Sequence, residues 1–573
     1  MRIRILRNLI FCSFLALIVG LFYAQALKYE EYNKRAEKNR IRVLPLEAPR
    51  GKIFDRNSRL LVTSRIAFDV EVLHREIKDK KQIVEFLEKT LGTDSLVLSR
   101  KIDKAGKMPF LPVKIAEDVE KEKAIEIEER ILSLPGVIVT TRPLRDYLYG
   151  ETLSHALGYL GRISTEELEK YRTYGYGIRD FMGKDGIEKS YNDYLRGIDG
   201  GLQVEVDSRG RQLRILAMKE PEPGRDVYLS VDIELQEFCE SLMTDKNGAI
   251  IAMVPTTGEV LALVSRPGFD PNIFVEPDKN REVRSILRDS VSFPLLDRAI
   301  SCAYPPGSVF KVVVAACALD SGRFTDENTL SCDGSLRVGD RIFHCWRERG
   351  HGAQKIVGAM ENSCNVFFYQ LGLMCGADNI ASYAFKFGLG QPTGIDLPGE
   401  SAGVVPTTSW KRKNIKEPWF KGETANYSIG QGYLLVTPIQ VARLISVIAN
   451  GGELVHPFLV TKIEDVTLRQ REAESAGIKK EALNTVKEGM KQVVNGPHGT
   501  GFYARSKHTV ISGKTGTAQN SRGESHAWFA GFAPFEEPGF CIVVFIEHGG
   551  KGGLEPAKFA KQIIEKAKKL KII

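Results

Sequence analysis

Taken by hydrophobic and polar position, the chain opens with its longest apolar run. Residues 9–27 are apolar apart from Ser13 and Gln25. Roughly 19 residues rising about 1.5 Å each span about 28 Å as a helix, enough to cross a bilayer core. Residues 28–45 are charged, with Tyr29, Tyr32 and Ala36 at helical spacing, and predict a helix continuing outward. Lys52-Ile53-Phe54 and Leu60-Leu61-Val62 flank the turn residues Asp55-Arg56-Asn57 and predict a hairpin. Between 66 and 150 the pattern is charged and helical, for example over 80–91 and 116–134. Gly197-Ile198-Asp199-Gly200-Gly201 is a turn. The runs 203–207 and 212–216 flank Ser208-Arg209-Gly210 and predict a second hairpin. A proline-rich stretch near 219–224 marks a domain boundary.

Beyond that boundary the apolar runs lengthen. The runs 248–254 and 259–264, around Thr257-Gly258, predict a hairpin of buried strands. Val312-Val313-Val314-Ala315-Ala316-Cys317-Ala318-Leu319 is too apolar for a solvent-facing helix. A last hairpin is expected at 527–533 and 541–547, then a helix over 555–570 with Phe559, Ile563, Ile564 and Ala567 on one face. Strands early and late, with helices between and after, predict an α+β domain: an antiparallel β-sheet covered by helices.

A length of 573 residues implies two or three domains. The net charge of +8, from 80 basic and 72 acidic residues, is modest. With no basic block interleaved with aromatics, nothing points to nucleic acid. The N-terminal run reads as a retained single-pass anchor; the alternative is a cleaved signal peptide, with Ala24-Gln25-Ala26 resembling a cleavage site. Arg2, Arg4 and Arg7 precede the run, and Lys28, Lys34, Arg35, Lys38, Arg40 and Arg42 follow it. That count does not set the orientation, because long domains translocate largely regardless of charge.

The chemistry gathers around Tyr304-Pro305-Pro306-Gly307-Ser308-Val309-Phe310-Lys311. Pro-Pro-Gly is a turn, so a helix starts close to Ser308. Residues i and i+3 share a helix face, which brings Lys311 within reach of the Ser308 hydroxyl. Serine is a poor nucleophile without a base, and a lysine becomes that base when burial or a second cation lowers its pKa. An isolated S-x-x-K is more often plain helix polarity. Ser363-Cys364-Asn365 and Ser512-Gly513-Lys514-Thr515-Gly516-Thr517 change that reading. S-x-x-K, S-D-N and K-T-G are the motif set of penicillin-binding proteins and class A β-lactamases. All three occur here in order, with Cys364 where the middle motif carries Asp. Alone, Asn365 reads as a helix cap and Lys514-Thr515-Gly516 as strand and turn.

On these residues the chain resembles the class B penicillin-binding proteins nearly end to end. Gly350-His351-Gly352, Gly430-Gln431-Gly432 and Thr437-Pro438-Ile439-Gln440 resemble the elongation branch, the penicillin-binding protein 2 type. Pro49-Arg50-Gly51-Lys52-Ile53-Phe54-Asp55-Arg56-Asn57 and Gly186-Ile187-Glu188 resemble segments of the family's pedestal. The resemblance implies a cytoplasmic tail (1–8), an anchor (9–27), an elongated mixed α+β pedestal (28–220, head insertion about 66–150) and a serine β-lactamase-like transpeptidase domain (221–573). It places everything after the anchor outside the cytoplasmic membrane. It implies a D,D-transpeptidase that crosslinks peptidoglycan stem peptides and binds β-lactams. Ser308 would be the nucleophile and Lys311 its base, with Lys514 lowering the Lys311 pKa. Ser363 would relay the proton and Asn365 bind peptide backbone. Lys514 and Thr515, with Gly516 and Thr517 beside them, would hold the substrate carboxylate. The N–H groups of Ser308 and Thr517 would form the oxyanion hole. A SEDS-family glycan polymerase and other elongation proteins are the implied partners, and the chemistry needs no cofactor. Three alternatives stay open: a carboxypeptidase or β-lactamase using the same acyl-enzyme, a division-specific transpeptidase, and a scaffold.

Of nine cysteines, four residues stand out by spacing: Cys332, Cys345, His351 and Cys364, C-x12-C-x5-H-x12-C. Three thiols and an imidazole are a ligand set for structural Zn2+. Asp333 is a substitute ligand if Cys332 points away. Alternatives are a Cys332–Cys345 disulfide in an oxidising compartment, and plain buried thiols. Cys12 lies in the apolar run; Cys239, Cys302, Cys317, Cys375 and Cys541 read as core.

Overall fold

A computed structural model describes residues 2–107, 112–171, 175–177, 180–207, 212–520 and 523–573. They gather into two compact units. One comprises Met1–Gly51, Ser64–Arg145 and Arg196–Arg225; the other comprises Lys52–Thr63, Asp146–Leu195 and Asp226–Ile573.

In the first unit, a helix over Arg2–Phe22 runs on through a π-turn at Tyr23–Leu27. Among the described residues, Ile3–Leu27 is the one helix long and apolar enough to cross a bilayer, and none of its core-spanning stretch is buried. A charged helix follows at Tyr29–Arg40 and gives way to a strand at Ile41–Leu46. That strand pairs antiparallel with Gly200–Val206, which pairs in turn with Gln212–Lys219. The second predicted hairpin is thus formed; its turn at 208–210 lies outside the described residues.

Lys80–Leu91 is the helix its spacing predicts, capped by Asp79 and ended by left-handed Gly92. The helix expected over 116–134 is a correction. The chain forms a strand at Val113–Val119, a short helix at Lys121–Glu129 and a 3-10 turn at Ile131–Ser133. Pairing decides it: Val119 faces Phe68 and Ala116 faces Val70 across an antiparallel ladder. Ile115 is buried in the same cluster as Val70, Leu98 and Ile102, so burial against a sheet overrides the helical charge spacing.

The second unit holds the Asp55 hairpin. Ile53–Phe54 pairs with the start of Leu60–Val72. Buried Asp55 accepts from the N–H groups of Asn57 and Arg59, both at 2.8 Å, which closes the turn. Five antiparallel strands form the main sheet, in the order Val260–Arg266, Gly248–Met253, Phe540–Ile546, His526–Ala533, Ser512–Ala518. Alternation divides their side chains between two cores. Ile250, Phe529 and Ile542 join Leu235, Ile563, Ile564 and Ala567 of the helices Ile233–Ser241 and Glu555–Lys569. Ile251, Trp528 and Val543 join the helices Lys311–Asp320, Asn365–Cys375 and Pro438–Ala449. Every residue of Pro438–Ala449 is buried. Its start explains Thr437-Pro438-Ile439-Gln440: Gln440 N–H donates to Thr437 Oγ1 at 3.3 Å, Thr437 N–H donates to Gln440 Oε1 at 3.0 Å, and Pro438 fills a position that needs no N–H.

Candidate active site

Ser308 lies in a 3-10 turn, Gly307–Phe310, that runs directly into the helix Lys311–Asp320. Neighbours hold the lead-in from several sides. Tyr304 exchanges backbone hydrogen bonds with Val436 at 2.8 and 2.9 Å. Trp528 Nε1 donates to Pro305 O at 3.1 Å, and Gly307 N–H donates to Gly430 O at 3.0 Å. Gly307 has φ +53°, and a Cβ there would stand 2.6 Å from Thr517 O. The nucleophile turn therefore lies directly against the end of the K-T-G strand, a contact only glycine permits.

That strand is Ser512–Ala518, on the sheet edge, with Lys514 opposite Ala530 and Gly516 opposite Trp528. A Cβ on Gly516 would meet Pro306 O at 2.7 Å and Trp528 Cβ at 3.0 Å. The glycine of the motif is thus a packing requirement, set by the turn that carries Ser308.

Ser363 follows the helix Ile356–Glu361 with φ +49°. A non-glycine residue there stores about 1–3 kcal/mol of backbone strain, and the surroundings enforce it. Ser363 N–H donates to Met360 O at 3.0 Å, and Cys364 N–H donates to Ala359 O at 2.9 Å. Cys364 Sγ then caps the next helix, accepting from Phe367 N–H at 3.4 Å. Asn365 is accordingly the first residue of that helix, and its side chain is turned to other use.

The motif side chains meet. Lys311 Nζ donates to Ser363 O at 2.8 Å and to Asn365 Oδ1 at 2.8 Å, and stands 3.3 Å from Ser363 Oγ. Lys514 Nζ lies 2.9 Å from the same Ser363 Oγ and 3.2 Å from Thr515 O. Both lysines are fully buried. Burial lowers the Lys311 pKa to about 7. Lys514 is also pushed well below its ordinary value, first by burial and then by the Lys311 charge. Of the two causes considered, burial or a second cation, it is burial that lowers Lys311. A neutral Lys311 can accept a proton, and Ser363 Oγ, between two amines, can pass one on. Thr515 is buried beside them; Thr517 is exposed at the strand end.

The cysteine–histidine quartet also assembles. Cys332 Sγ and Cys345 Sγ lie 3.7 and 3.6 Å from His351 Nδ1, and Cys345 Sγ lies 3.9 Å from Cys364 Sγ. All four ligand atoms fall within 4.8 Å of one another. Tetrahedral coordination with bonds of about 2.3 Å to sulfur and about 2.05 Å to nitrogen sets edges of about 3.8 and 3.6 Å. Those three separations are close to such edges, and the four atoms together can hold a metal. Cys332 and Cys345 are both free thiols. Asp333 is exposed and accepts from Ser331 Oγ at 3.1 Å, outside the quartet. Two small strand pairs, Leu330–Cys332 with Gly352–Gln354 and Ser335–Val338 with Arg341–His344, carry Cys332 and adjoin Cys345 and His351, while Cys364 comes from the cap of the helix Asn365–Cys375. Of the remaining cysteines, Cys239, Cys317, Cys375 and Cys541 are buried, Cys302 is half-buried and Cys12 is exposed on the N-terminal helix.

Two residues had no motif to mark them. Glu361 and Thr500 bridge the S-C-N and K-T-G segments through hydrogen bonds that depend on residues more than a hundred positions apart.

An antiparallel sheet whose edge strand carries K-T-G, set against a buried helix opening in S-x-x-K, defines a class: the penicillin-recognising serine acyltransferases. Comparison with known proteins agrees. Residues 248–565 match the family model of the penicillin binding protein transpeptidase domain, and residues 45–229 match that of the penicillin-binding protein dimerisation domain. The peptidoglycan D,D-transpeptidase MrdA of Escherichia coli K12 is 32% identical over 564 residues, covering 94% of this chain and 89% of the relative. The MrdA of Acinetobacter baumannii is 34% identical over 589 residues, covering 97% and 86%. A Helicobacter pylori penicillin-binding protein (PBP2), solved in complex with MreC, superposes with a TM-score of 0.82 at 28% identity, covering 93% of this chain and all of that one. A chain of a peptidoglycan synthase complex, solved for its coordination of polymerization and crosslinking, superposes with a TM-score of 0.76 at 30% identity, covering 98% and 97%. The chain belongs to the penicillin-binding protein transpeptidase family.

Proposed function

We propose that the protein is a peptidoglycan D,D-transpeptidase of cell-wall elongation, and that its reaction runs through a Ser308 acyl-enzyme. The observation that carries this is the convergence of Lys311, Ser363, Asn365 and Lys514 within hydrogen-bonding distance in a buried site. Ser308 Oγ attacks the carbonyl carbon between the two terminal D-alanines of a stem peptide, and its proton passes to neutral Lys311. The N–H groups of Ser308 and Thr517 hold the oxyanion. The C–N bond breaks, and the departing D-alanine amine takes a proton relayed through Ser363. Lys514 and Thr515, with Thr517, hold the terminal carboxylate, and Asn365 orients the peptide backbone. An amine of a neighbouring strand then attacks the ester, forms the crosslink and returns the proton to Ser308.

The Ile3–Leu27 helix anchors the chain in the cytoplasmic membrane by a single pass, with the remainder on the extracytoplasmic side; its length and exposed apolar surface support this. The solved relatives in complex with MreC and in a synthase complex support membership of an elongation assembly, with a SEDS-family glycan polymerase as partner. Cys332, Cys345, His351 and Cys364 would hold Zn2+. That ion would act as a structural pin on the loop between Ser363 and Asn365 and would take no part in the acyl transfer.

The test is the intact mass of the full-length protein in detergent after mixing with benzylpenicillin, beside Ser308→Ala. A lasting adduct on the wild type alone is expected. An adduct on Ser308→Ala would overturn the nucleophile. Rapid antibiotic turnover without an adduct would replace the transpeptidase by a hydrolase.

A further inference from the structure

The K-T-G strand is an edge strand, hydrogen-bonded to the sheet on one side only. Besides the nucleophile turn and the helix Lys480–Asn495, the loop after that helix reaches it. Glu361 holds that loop from the segment leading to Ser363. Its Oε1 accepts from His498 N–H at 2.9 Å, and its carbonyl accepts from Thr500 N–H at 3.3 Å. Gly496 packs onto the same carboxylate, where a Cβ would stand 2.4 Å from Oε1. A second tie closes the loop, from Gly501 N–H to Val493 O at 2.8 Å. Thr500 is thereby fixed with its Oγ1 3.1 Å from Thr515 Oγ1.

Two hydroxyls at that distance share one hydrogen bond, and either can donate. The other demand on Thr515 decides which. To hold an anionic carboxylate, Thr515 must give its own proton to the ligand. Its oxygen is then free to accept, and Thr500 is the donor beside it. A hydroxyl that accepts one hydrogen bond becomes a stronger donor in the next. We propose that Thr500 is a positioning residue for carboxylate recognition: clamped by Glu361, it donates to Thr515 Oγ1 and so aims the Thr515 proton at the substrate carboxylate. Thr500 acts through Thr515 and touches no reacting atom. This inference rests on the transpeptidase reading above.

A ratio tests it, because a loop that merely supports the fold would affect all ligands alike. The second-order acylation constant is measured for benzylpenicillin, which carries the carboxylate, and for its methyl ester, which does not. Thr500→Val keeps the shape and removes the donor. It is expected to lower the constant for benzylpenicillin about tenfold, the size expected when one hydrogen bond to a charged group is weakened. The constant for the ester should stay within about twofold. Thr500→Ser should restore the wild-type ratio. Glu361→Gln, which keeps an oxygen to accept from His498, should hold the ratio, and Glu361→Ala should lower it. If the valine variant does not fold, Thr500→Ala is read in the same way. An equal fall for acid and ester, no fall for either, or a serine variant that behaves like the valine variant overturns the proposal. A wild type that forms no adduct at all would instead overturn the transpeptidase reading.

Discussion

Lys311 carries a quantitative consequence for pH. In the proposed mechanism it must be neutral to take the Ser308 proton, and burial places its pKa at about 7. A lysine at its usual value near 10.4 would leave acylation climbing about a thousandfold between pH 6 and pH 9, with no plateau. With a pKa of about 7, about one molecule in ten is competent at pH 6, about half at pH 7 and nearly all at pH 9. The expected profile rises about tenfold over that range, with unit slope below the midpoint and a plateau above pH 8. Lys514 does not mimic this rise. Its pKa is lowered in the free site, but an incoming carboxylate supplies the anion that restores its charge. Losing that charge at high pH would slow acylation, which is the opposite sign. The assay is stopped-flow or quenched acylation of the full-length protein by benzylpenicillin in buffers of constant ionic strength. A thousandfold climb without a plateau, or a flat profile, would refute Lys311 as a buried neutral base.

Two further outcomes follow from the geometry. Gly516→Ala places a methyl group 2.7 Å from Pro306 O; forcing the K-T-G strand off the nucleophile turn should cost about 1–3 kcal/mol of stability and slow acylation at least about tenfold, seen by calorimetry and by the same quenched assay. Cys345→Ser removes one of four ligands and should take bound metal from about one ion per chain towards none. Metal analysis with and without a chelator checks this, and the thermal midpoint should fall in step; full metal content in the serine variant would refute the quartet.

The motif side chains that the structure brings together could be read from the chain because the proposed chemistry demands particular residue types at short spacings. Serine and lysine on one helical turn, or lysine and threonine beside a glycine that must admit Pro306 O, leave marks in a few adjacent positions. The helix Lys80–Leu91 was readable for a similar reason: its apolar face repeats locally and its caps, Asp79 and Gly92, adjoin it. The strand Val113–Val119 was not. It is largely half-buried and charged, with Ile115 its one fully buried residue, and its partner lies some fifty residues earlier. The same limit hid Glu361, which holds backbone N–H groups that carry no residue type, and Thr500, whose hydroxyl meets Thr515 only once that loop is in place. For the quartet, cysteine spacing admitted both a disulfide and a metal. The structure adds what spacing could not: Cys332 and Cys345 stand as free thiols, and all four ligand atoms lie within 4.8 Å of one another, an arrangement that can hold a metal.

The order of the strands has a consequence for biosynthesis. Gly248–Met253 finds its second neighbour, Phe540–Ile546, only after nearly three hundred further residues have emerged, and that last strand is also what joins the K-T-G hairpin to the rest. A chain stalled before it would contain every catalytic motif with the two halves of its sheet unjoined. Penicillin reactivity is therefore a readout of completed synthesis. An antibiotic carrying a fluorophore would light up finished molecules and pass over truncated ones, making this strand the point at which a nascent chain becomes a drug target.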